Sequence, residues 1–352
     1  MKKVLIDLSI LKHVCCGIGQ IAYNYARFWQ ENAKKVDFEV HFLLPKRYVG
    51  AFGNDIHYHK TSFPYKFCRF FLPRFDVWHS IHQMSRFKPS RKSTKNLLTV
   101  HDINFIYEKS GNALQRHTNF FLKRLNRADR IVFISNFAQT DVQRHFPTSK
   151  PHEVVYNGVE FGDPVSGRRP DLPFSAEQKY IFSIGQIRQK KNFHVLLDAM
   201  KLLPQYKLVI AGEKKSKYSK MMEQRIADEG IDNVFLIGMV HDDEKTWLYH
   251  HCEAFVFPSL FEGFGLPVIE AMSYAKPVVS SDKTALKEIC AGHAFVLKNF
   301  EAEHIADTIK RAIDAYRQEP KLVAENVEYA KSFTYEKHMK EYLRIYKEML
   351  AE

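Results

Sequence analysis

Short apolar strands alternate with amphipathic helices along this chain in two separate runs, and that pattern constrains the fold more than any other feature. The candidate strands of the first half are VLIDLSI, FEVHFLL, DVWHS, NLLTVHD, RIVFIS and HEVVY. Those of the second are YIFSIG, KLVIAG, VFLIG, AFVFPS, PVVSS and AFVL. Helical patterns such as IGQIAYNYARFWQEN, NFHVLLDAMKLL and KMMEQRIADEG stand between them. Alternation at this pitch predicts parallel sheets covered by helices on both faces. FGDPVSGRRPDLPFSAEQ, residues 161–178, separates the runs with three prolines, two glycines and no periodicity.

The expected architecture is therefore α/β, with two doubly wound, Rossmann-like domains facing a central cleft. We place the first at 1–165, a linker at 166–178 and the second at 179–333. The last segment, 334–352, reads as an amphipathic helix that packs back towards the N-terminal domain. Its stripe is Tyr335, Met339, Tyr342, Leu343, Tyr346 and Leu350. A length of 352 residues suits two domains. Open α/β sheets bind ligands at the carboxyl ends of their strands.

Bulk properties exclude several classes. No apolar run approaches the roughly 18–20 residues of a membrane span. The basic N-terminus resembles that of a signal peptide, but Asp7 interrupts the apolar stretch and no small-residue cleavage site follows, so Val4–Ile10 reads as a first buried strand. The five cysteines have no CxxC spacing, which argues against a disulfide framework or structural zinc and points to a reducing cytoplasm. The net charge of +12 is one-sided. Residues 1–150 carry 25 Lys/Arg against 10 Asp/Glu, and the remainder carries 27 against 30. Such a field suits an anionic partner for the first half.

FEGFGLPVIEAM, residues 261–272, places Glu262 and Glu270 among apolar residues and glycines. A proline inside a helix costs about 3 kcal/mol, so the two acids cannot share one regular helix face across Pro267. Pro267 suits the first helical turn, giving a helix from about Pro267 to Ala275. Glu262 then lies in the preceding glycine loop and Glu270 near the first turn. A helix N-terminus preceded by glycines is a ready anion site. A phosphate there, with a carboxylate on each side for hydroxyls, describes a nucleotide sugar.

The stretch FPSLFEGFGLPVIEAMSYAKPVV, with Glu262-x7-Glu270, resembles the signature of retaining GT-B glycosyltransferases of family 4, the group 1 enzymes that include bacterial mannosyltransferases. CGIGQIAYNYA, VVYNGVE, SIGQIRQKKNFHVLLDAM and VFLIGMVHDDEKTWLYHHCEAFVFPS are similar to further family motifs, in the right order. The resemblance covers nearly the whole chain. It implies that Glu262 faces the transferred sugar. Backbone around Phe264, Gly265 and Leu266 would meet sugar and diphosphate, Glu270 the ribose, and Lys191 the diphosphate. The family commonly pairs that lysine with an arginine just after the strand's glycine. Gln186 stands there instead, so Arg188 or Lys190 is the expected substitute. Ala275 stands where a glycine is common, with a packing consequence only. His101, closing LLTVHD, would reach the donor sugar, and Gly17 and Gly19 would form a loop over the diphosphate. The resemblance implies no metal and no cofactor beyond the nucleotide-diphosphate sugar itself, and Asp242 and Asp243 read as the start of a helix ending near His251.

Three other readings compete. Gly17-x-Gly19-x-x-Ala22 matches a dinucleotide fingerprint with Glu39 downstream, which suggests an NAD-dependent oxidoreductase. However, six residues separate that turn from the first strand, and Glu39 falls early in its strand. The basic half suggests a nucleic-acid binder, but no recognition motif supports specific binding. A glycosidase would use the acids as a facing pair, which leaves Lys191 and the glycine loop unexplained. The stretch 58–78 mixes Lys60, Lys66, Arg69 and Arg74 with eight aromatics, the chemistry of an anionic membrane face. The expected protein is a cytoplasmic or peripheral hexosyltransferase acting on a glycan or lipid-linked acceptor in surface polysaccharide or lipopolysaccharide synthesis. Mannose is the favoured sugar.

Overall fold

The computed structural model describes residues 1–13, 17–61, 73–89, 91–162 and 167–352. They form two compact units, one of residues 1–158 with 334–352 and one of residues 159–333.

The first unit holds β1 (Lys2–Asp7), β2 (Phe38–Leu44), β3 (His57–Lys60), β4 (Val77–Ser80), β5 (Lys95–Val100), β6 (Arg130–Phe133) and β7 (His152–Val154). All pair in parallel, in the order β3-β2-β1-β4-β5-β6-β7. The central strands are nearly continuous apolar runs because helices cover both faces of a parallel sheet. β1 ends earlier than expected. The Asp7 carboxylate accepts the Ser9 N–H at 3.0 Å, and Ser9–His13 turns into a 3₁₀ helix. Gly17 and Gly19, expected in a loop, instead form the first turn of the helix Gly17–Asn32, with Gly19 buried. β3 escaped the sequence reading, since HYHK is a half-exposed edge strand with no apolar alternation.

The last helix, Tyr335–Ala351, completes this unit. Met339, Tyr342, Tyr346 and Leu350 are buried as the periodicity requires, while Ile345 rather than Leu343 joins them. Tyr346 and Tyr342 reach into a buried polar chain. His79 Nδ1 meets Tyr346 Oη at 2.6 Å, its Nε2 meets Thr99 Oγ1 at 2.8 Å, and Thr99 meets Tyr342 Oη at 2.8 Å. Buried polar groups need such partners, so strands and helix are positioned together.

The second unit holds β8 (Tyr180–Ile184), β9 (Lys207–Ala211), β10 (Val234–Gly238), β11 (Ala254–Phe257), β12 (Val278–Ser281) and β13 (Phe295–Leu297), all parallel in the order β10-β9-β8-β11-β12-β13. One core unites Ile181, Leu197, Val256, Ile305 and Ile309. The backbone closes tightly where β8 and β9 end. A Cβ on Gly212, at φ +148°, would lie 1.8 Å from the Gly185 carbonyl oxygen. Residues 167–178 are part of this unit. Arg168 pairs with Asp243 at 3.1 Å and Glu244 at 2.9 Å, Arg169 stands 5.8 Å over the Trp247 ring, and Leu172 is buried. Proline and glycine there mark irregular backbone, and irregular backbone still packs.

Candidate functional site

In the second unit the chain runs outward from β8 through β9 to β10, then returns to β11 on the other side of β8. The strand order therefore reverses between β8 and β11, and doubly wound sheets bind ligands at the carboxyl ends of the strands at such a point. Lys191 enters from the β8 loop and Glu262 from the β11 loop. Their Nζ–Oε1 distance is 2.5 Å, and each side chain is only about one-eighth exposed, at 12% and 13%. Lys191 Nζ also lies 4.8 Å from the Phe257 ring centroid, in cation–π range.

Backbone bonds hold the two loops in register. The Leu260 N–H donates to the Lys190 carbonyl at 2.8 Å, and Ser259 Oγ donates to the same oxygen at 3.1 Å. The β12 loop braces Glu262 from the other side. The Glu262 N–H donates to Thr284 Oγ1 at 2.9 Å, and the Glu262 carbonyl accepts the Ala285 N–H at 3.3 Å. Thr284 sits at φ +54°, a costly conformation for a branched residue. The Lys191–Glu262 pair thus rests on three loops at one sheet edge.

Glu270 belongs to a second network. It lies on the helix Leu266–Ser273, which follows Gly265 at φ +117° and carries Pro267 in its first turn. Lys245 Nζ meets Glu270 Oε1 at 3.0 Å, and Tyr249 Oη donates to Oε2 at 2.8 Å. Lys245 and Tyr249 are four residues apart on the helix Asp242–His251, hence on one face. Burial pushes the Tyr249 hydroxyl well above its ordinary range, and the Glu270 charge pushes it further. Burial pulls the Lys245 ammonium down, but Glu270 outweighs it and the net shift is upward. A carboxylate held by two donors keeps acceptor capacity for others.

The remaining expected residues fall as follows. Phe264 is buried, 6.1 Å edge-on from Phe333, so its side chain is core. Leu266 and Lys190 are half-buried, and Arg188 is exposed. Asp242 and Asp243 lie in the first turn of their helix, whose cap is His241 with Glu244 in a capping box. His101 follows β5 in the first unit and is 4% exposed. Its Nε2 lies 2.8 Å from the Ile81 carbonyl, which can only accept, so Nε2 carries a proton. Burial holds this imidazole down at about 4, which leaves it neutral near pH 7 with Nδ1 as an acceptor.

Several side chains that contact the expected site residues were not singled out from the sequence. Lys245, Tyr249 and Thr284 carry no motif of their own, although the four-residue spacing of Lys245 and Tyr249 was a weak signal. One grouping of metal-ligand type was not singled out from the sequence either. Glu39, His41 and His57 bring one ligand atom each within 4.8 Å of one another. They come from two strands, so spacing along one segment could not reveal them. Of the aromatic stretch 58–78, Phe75 and Trp78 are buried core, and 62–72 lie outside the described residues. Among the described residues no helix is long and apolar enough to cross a membrane.

Residues 168–333 match the family described as Glycosyl transferases group 1, and residues 21–162 match Glycosyltransferase Family 4. The chain is 28% identical over 241 residues to O-antigen chain mannosyltransferase B of Escherichia coli, covering 63% of this chain and 61% of that protein. It is 30% identical over 213 residues to the serotype-specific mannosyltransferase WbdA of Escherichia coli, covering 55% of this chain and 26% of that one. It therefore spans less than two thirds of each of these relatives. Among solved structures, HepE of Anabaena in complex with UDP-glucose superposes with a TM-score of 0.76 at 16% identity, over 99% of this chain and 100% of that one. The fold is GT-B.

Proposed function

Since the chain belongs to the group 1 glycosyltransferases of family 4, we propose that it transfers a hexose from a nucleotide-diphosphate sugar to a glycan or lipid-linked acceptor in surface polysaccharide synthesis. Transfer keeps the anomeric configuration and uses no metal at the reaction centre. Mannose is the proposed sugar, in keeping with the mannosyltransferases among the relatives.

The observation that carries this reading is the Lys191–Glu262 ion pair at the carboxyl edge between β8 and β11. A nearly buried lysine and glutamate hold each other in place until a ligand offers each a better partner. The diphosphate draws Lys191, whose fixed charge stabilises the departing phosphate oxygens. The sugar hydroxyls take up the carboxylate of Glu262. Glu270, held by Lys245 and Tyr249, accepts from the ribose. Backbone N–H groups around Phe264, Gly265 and Leu266 face the anion, as a helix N-terminus favours. Arg188, exposed beside the β8 loop, supplies the second cation, with Lys190 as the alternative. In the first unit, His101 Nδ1 accepts from a substrate hydroxyl, and Gly17 and Gly19 leave the first turn of their helix open to an anion. No protein nucleophile is assigned. Attack from the leaving-group face, with the departing phosphate oxygen taking the acceptor proton, balances the reaction without one.

A thermal-shift panel of GDP, UDP, GDP-mannose, UDP-glucose and NAD tests the donor site. Ligand well above its dissociation constant adds about 3 kcal/mol of stability. A shift with one nucleotide-diphosphate sugar, absent in Lys191→Ala, is expected. A shift with NAD alone overturns the reading. The peripheral location is tested by flotation with anionic liposomes, and failure to float at low salt removes it.

A further inference from the structure

At the opposite, amino edge of the first sheet, three neighbouring strands place five polar side chains together. Lys3 of β1 is in register with Glu39 of β2, and His41 of β2 with His57 of β3. His59 stands two residues beyond His57, on the same sheet face. Glu39 Oε2 is the meeting point. It lies 3.0 Å from His41 Nε2, 3.8 Å from His57 Nε2 and 3.3 Å from Lys3 Nζ. His41 Nδ1 lies 3.0 Å from His59 Nε2. The His41 ring stacks on that of His57 at 4.5 Å and packs edge-on against Phe75 at 5.2 Å.

We propose that Glu39, His41 and His57 form a zinc site, unrelated to sugar transfer, that fastens edge strand β3 to β2. The ligand set is one carboxylate and two imidazoles, donors that zinc takes in a four-coordinate site whose last position water can fill. Tetrahedral zinc with bonds of about 2.0–2.1 Å sets its ligand atoms about 3.3 Å apart. These three atoms already lie within 4.8 Å of one another. The closure needed falls on His57, whose side chain is 59% exposed and free to swing, while His41 is 4% exposed and fixed. His59 faces the far nitrogen of His41, as the orienting partner of a metal-bound imidazole does. The exposed His57 side opens an entry path for the ion. All four residues of β3 are half-exposed or exposed, and its packing comes from Tyr58, edge-on to Phe42 at 6.4 Å on the other face, so a cross-link adds an anchor on the histidine face. Lys3 opposes the site, since its ammonium competes for the Glu39 oxygen.

The test is calorimetric titration of the whole chain with Zn²⁺, followed by the absorption spectrum of the Co²⁺ form. One saturable equivalent is expected, with a nitrogen and oxygen ligand field and no thiolate charge transfer. Affinity should fall at least tenfold in His57→Ala, an exposed change that leaves folding intact, and in Glu39→Gln. His59→Ala should lose about 10-fold, the lower end for an orienting partner. Lys3→Met should bind more tightly than the parent. Absent saturable binding, a thiolate band, or unchanged affinity in both His57→Ala and Glu39→Gln each overturns the site.

Discussion

In the first unit the strand order reverses between β1 and β4, and in the second between β8 and β11. The two places are topologically equivalent, yet they hold their acids differently. At the first, Asp7 accepts from Ser9 and from the Ser85 hydroxyl, while Arg124 donates to Ser80 at 3.2 Å and to the Phe87 carbonyl. Burial raises the Asp7 carboxyl, and its neighbours lower it only in part. At the second, Glu262 is bound to a lysine. An acid held by uncharged hydroxyl and backbone donors is structural, whereas an acid held in an ion pair with a lysine can exchange that partner for a ligand. Equivalent topology therefore does not confer equivalent chemistry, and the side chains at the reversal decide it.

The units also differ in how they meet acid, and the largest predicted effect breaks the comparison there. His101 and His338, each 4% exposed, are held down at about 4 by burial, and His79, fully buried, is held well below its ordinary value. All three belong to the first unit. In the second, the lowered histidines His194 and His250 are half-buried and exposed. A lowered histidine contributes stability that is complete above its unfolded value near 6.5 and is lost as pH falls towards 4. At pH 5, His101 and His338 each withdraw about 2 kcal/mol, or about 4 together, and His79 adds to this. That is a large part of the 5–15 kcal/mol of an ordinary domain. Hydrogen exchange between pH 7 and pH 5 should show β4, β5 and the last helix losing protection before β8 and β11. Equal loss in both units sinks the prediction.

Next in size is Lys191→Ala. Removing one fixed charge donor costs about 10²–10³ in rate, or about 3–4 kcal/mol. The variant should lose transfer by that factor and stay folded, since Glu262 keeps its backbone bonds to Thr284 and Ala285. A Lys191→Ala enzyme with near-normal turnover removes the leaving-group role. Tyr249→Phe is smaller. It deletes one hydrogen bond to the Glu270 carboxylate, worth about 1.5–3 kcal/mol. The KM for donor should rise about tenfold with kcat little changed, because ribose is remote from the reacting bond. A fall in kcat at constant KM would detach Glu270 from donor binding.

What sequence could reveal follows from what it encodes locally. Strands β8 and β11 are buried on both faces and stand out as apolar runs, and Glu262, Gly265 and Pro267 lie within one short segment whose backbone demands are local. Lys191 came from the resemblance of SIGQIRQKKNFHVLLDAM to a family motif rather than from spacing. The partners of Glu270 were not legible, since Lys245 and Tyr249 come from another helix and only tertiary packing brings them close. β3 was missed because an edge strand with histidines and a lysine has no apolar period. The resemblance put Gly17 and Gly19 in a loop, although the helical pattern IGQIAYNYARFWQEN already held Gly19, and the backbone of both is helical. Proline and glycine marked 166–178 as a linker, and within it Arg168 and Leu172 pack on the second unit.

The smallest effect tests an asymmetry in how the two units are assembled from the chain. The second unit is a continuous stretch, while the first is completed by a helix that returns from the chain's far end. Thr334 caps that helix, its hydroxyl accepting the Lys337 N–H at 3.3 Å. Thr334→Ala removes the cap at about 1 kcal/mol. The loss should fall on the unit whose core the helix fills, because Tyr342 and Tyr346 hold Thr99 and His79 from that helix. Exchange should rise in β4 and β5 and stay constant in β8, β9 and β11. Protection lost equally across both units would mean that the helix stabilises the whole chain, and the division of stability drawn from the buried polar chain would fail.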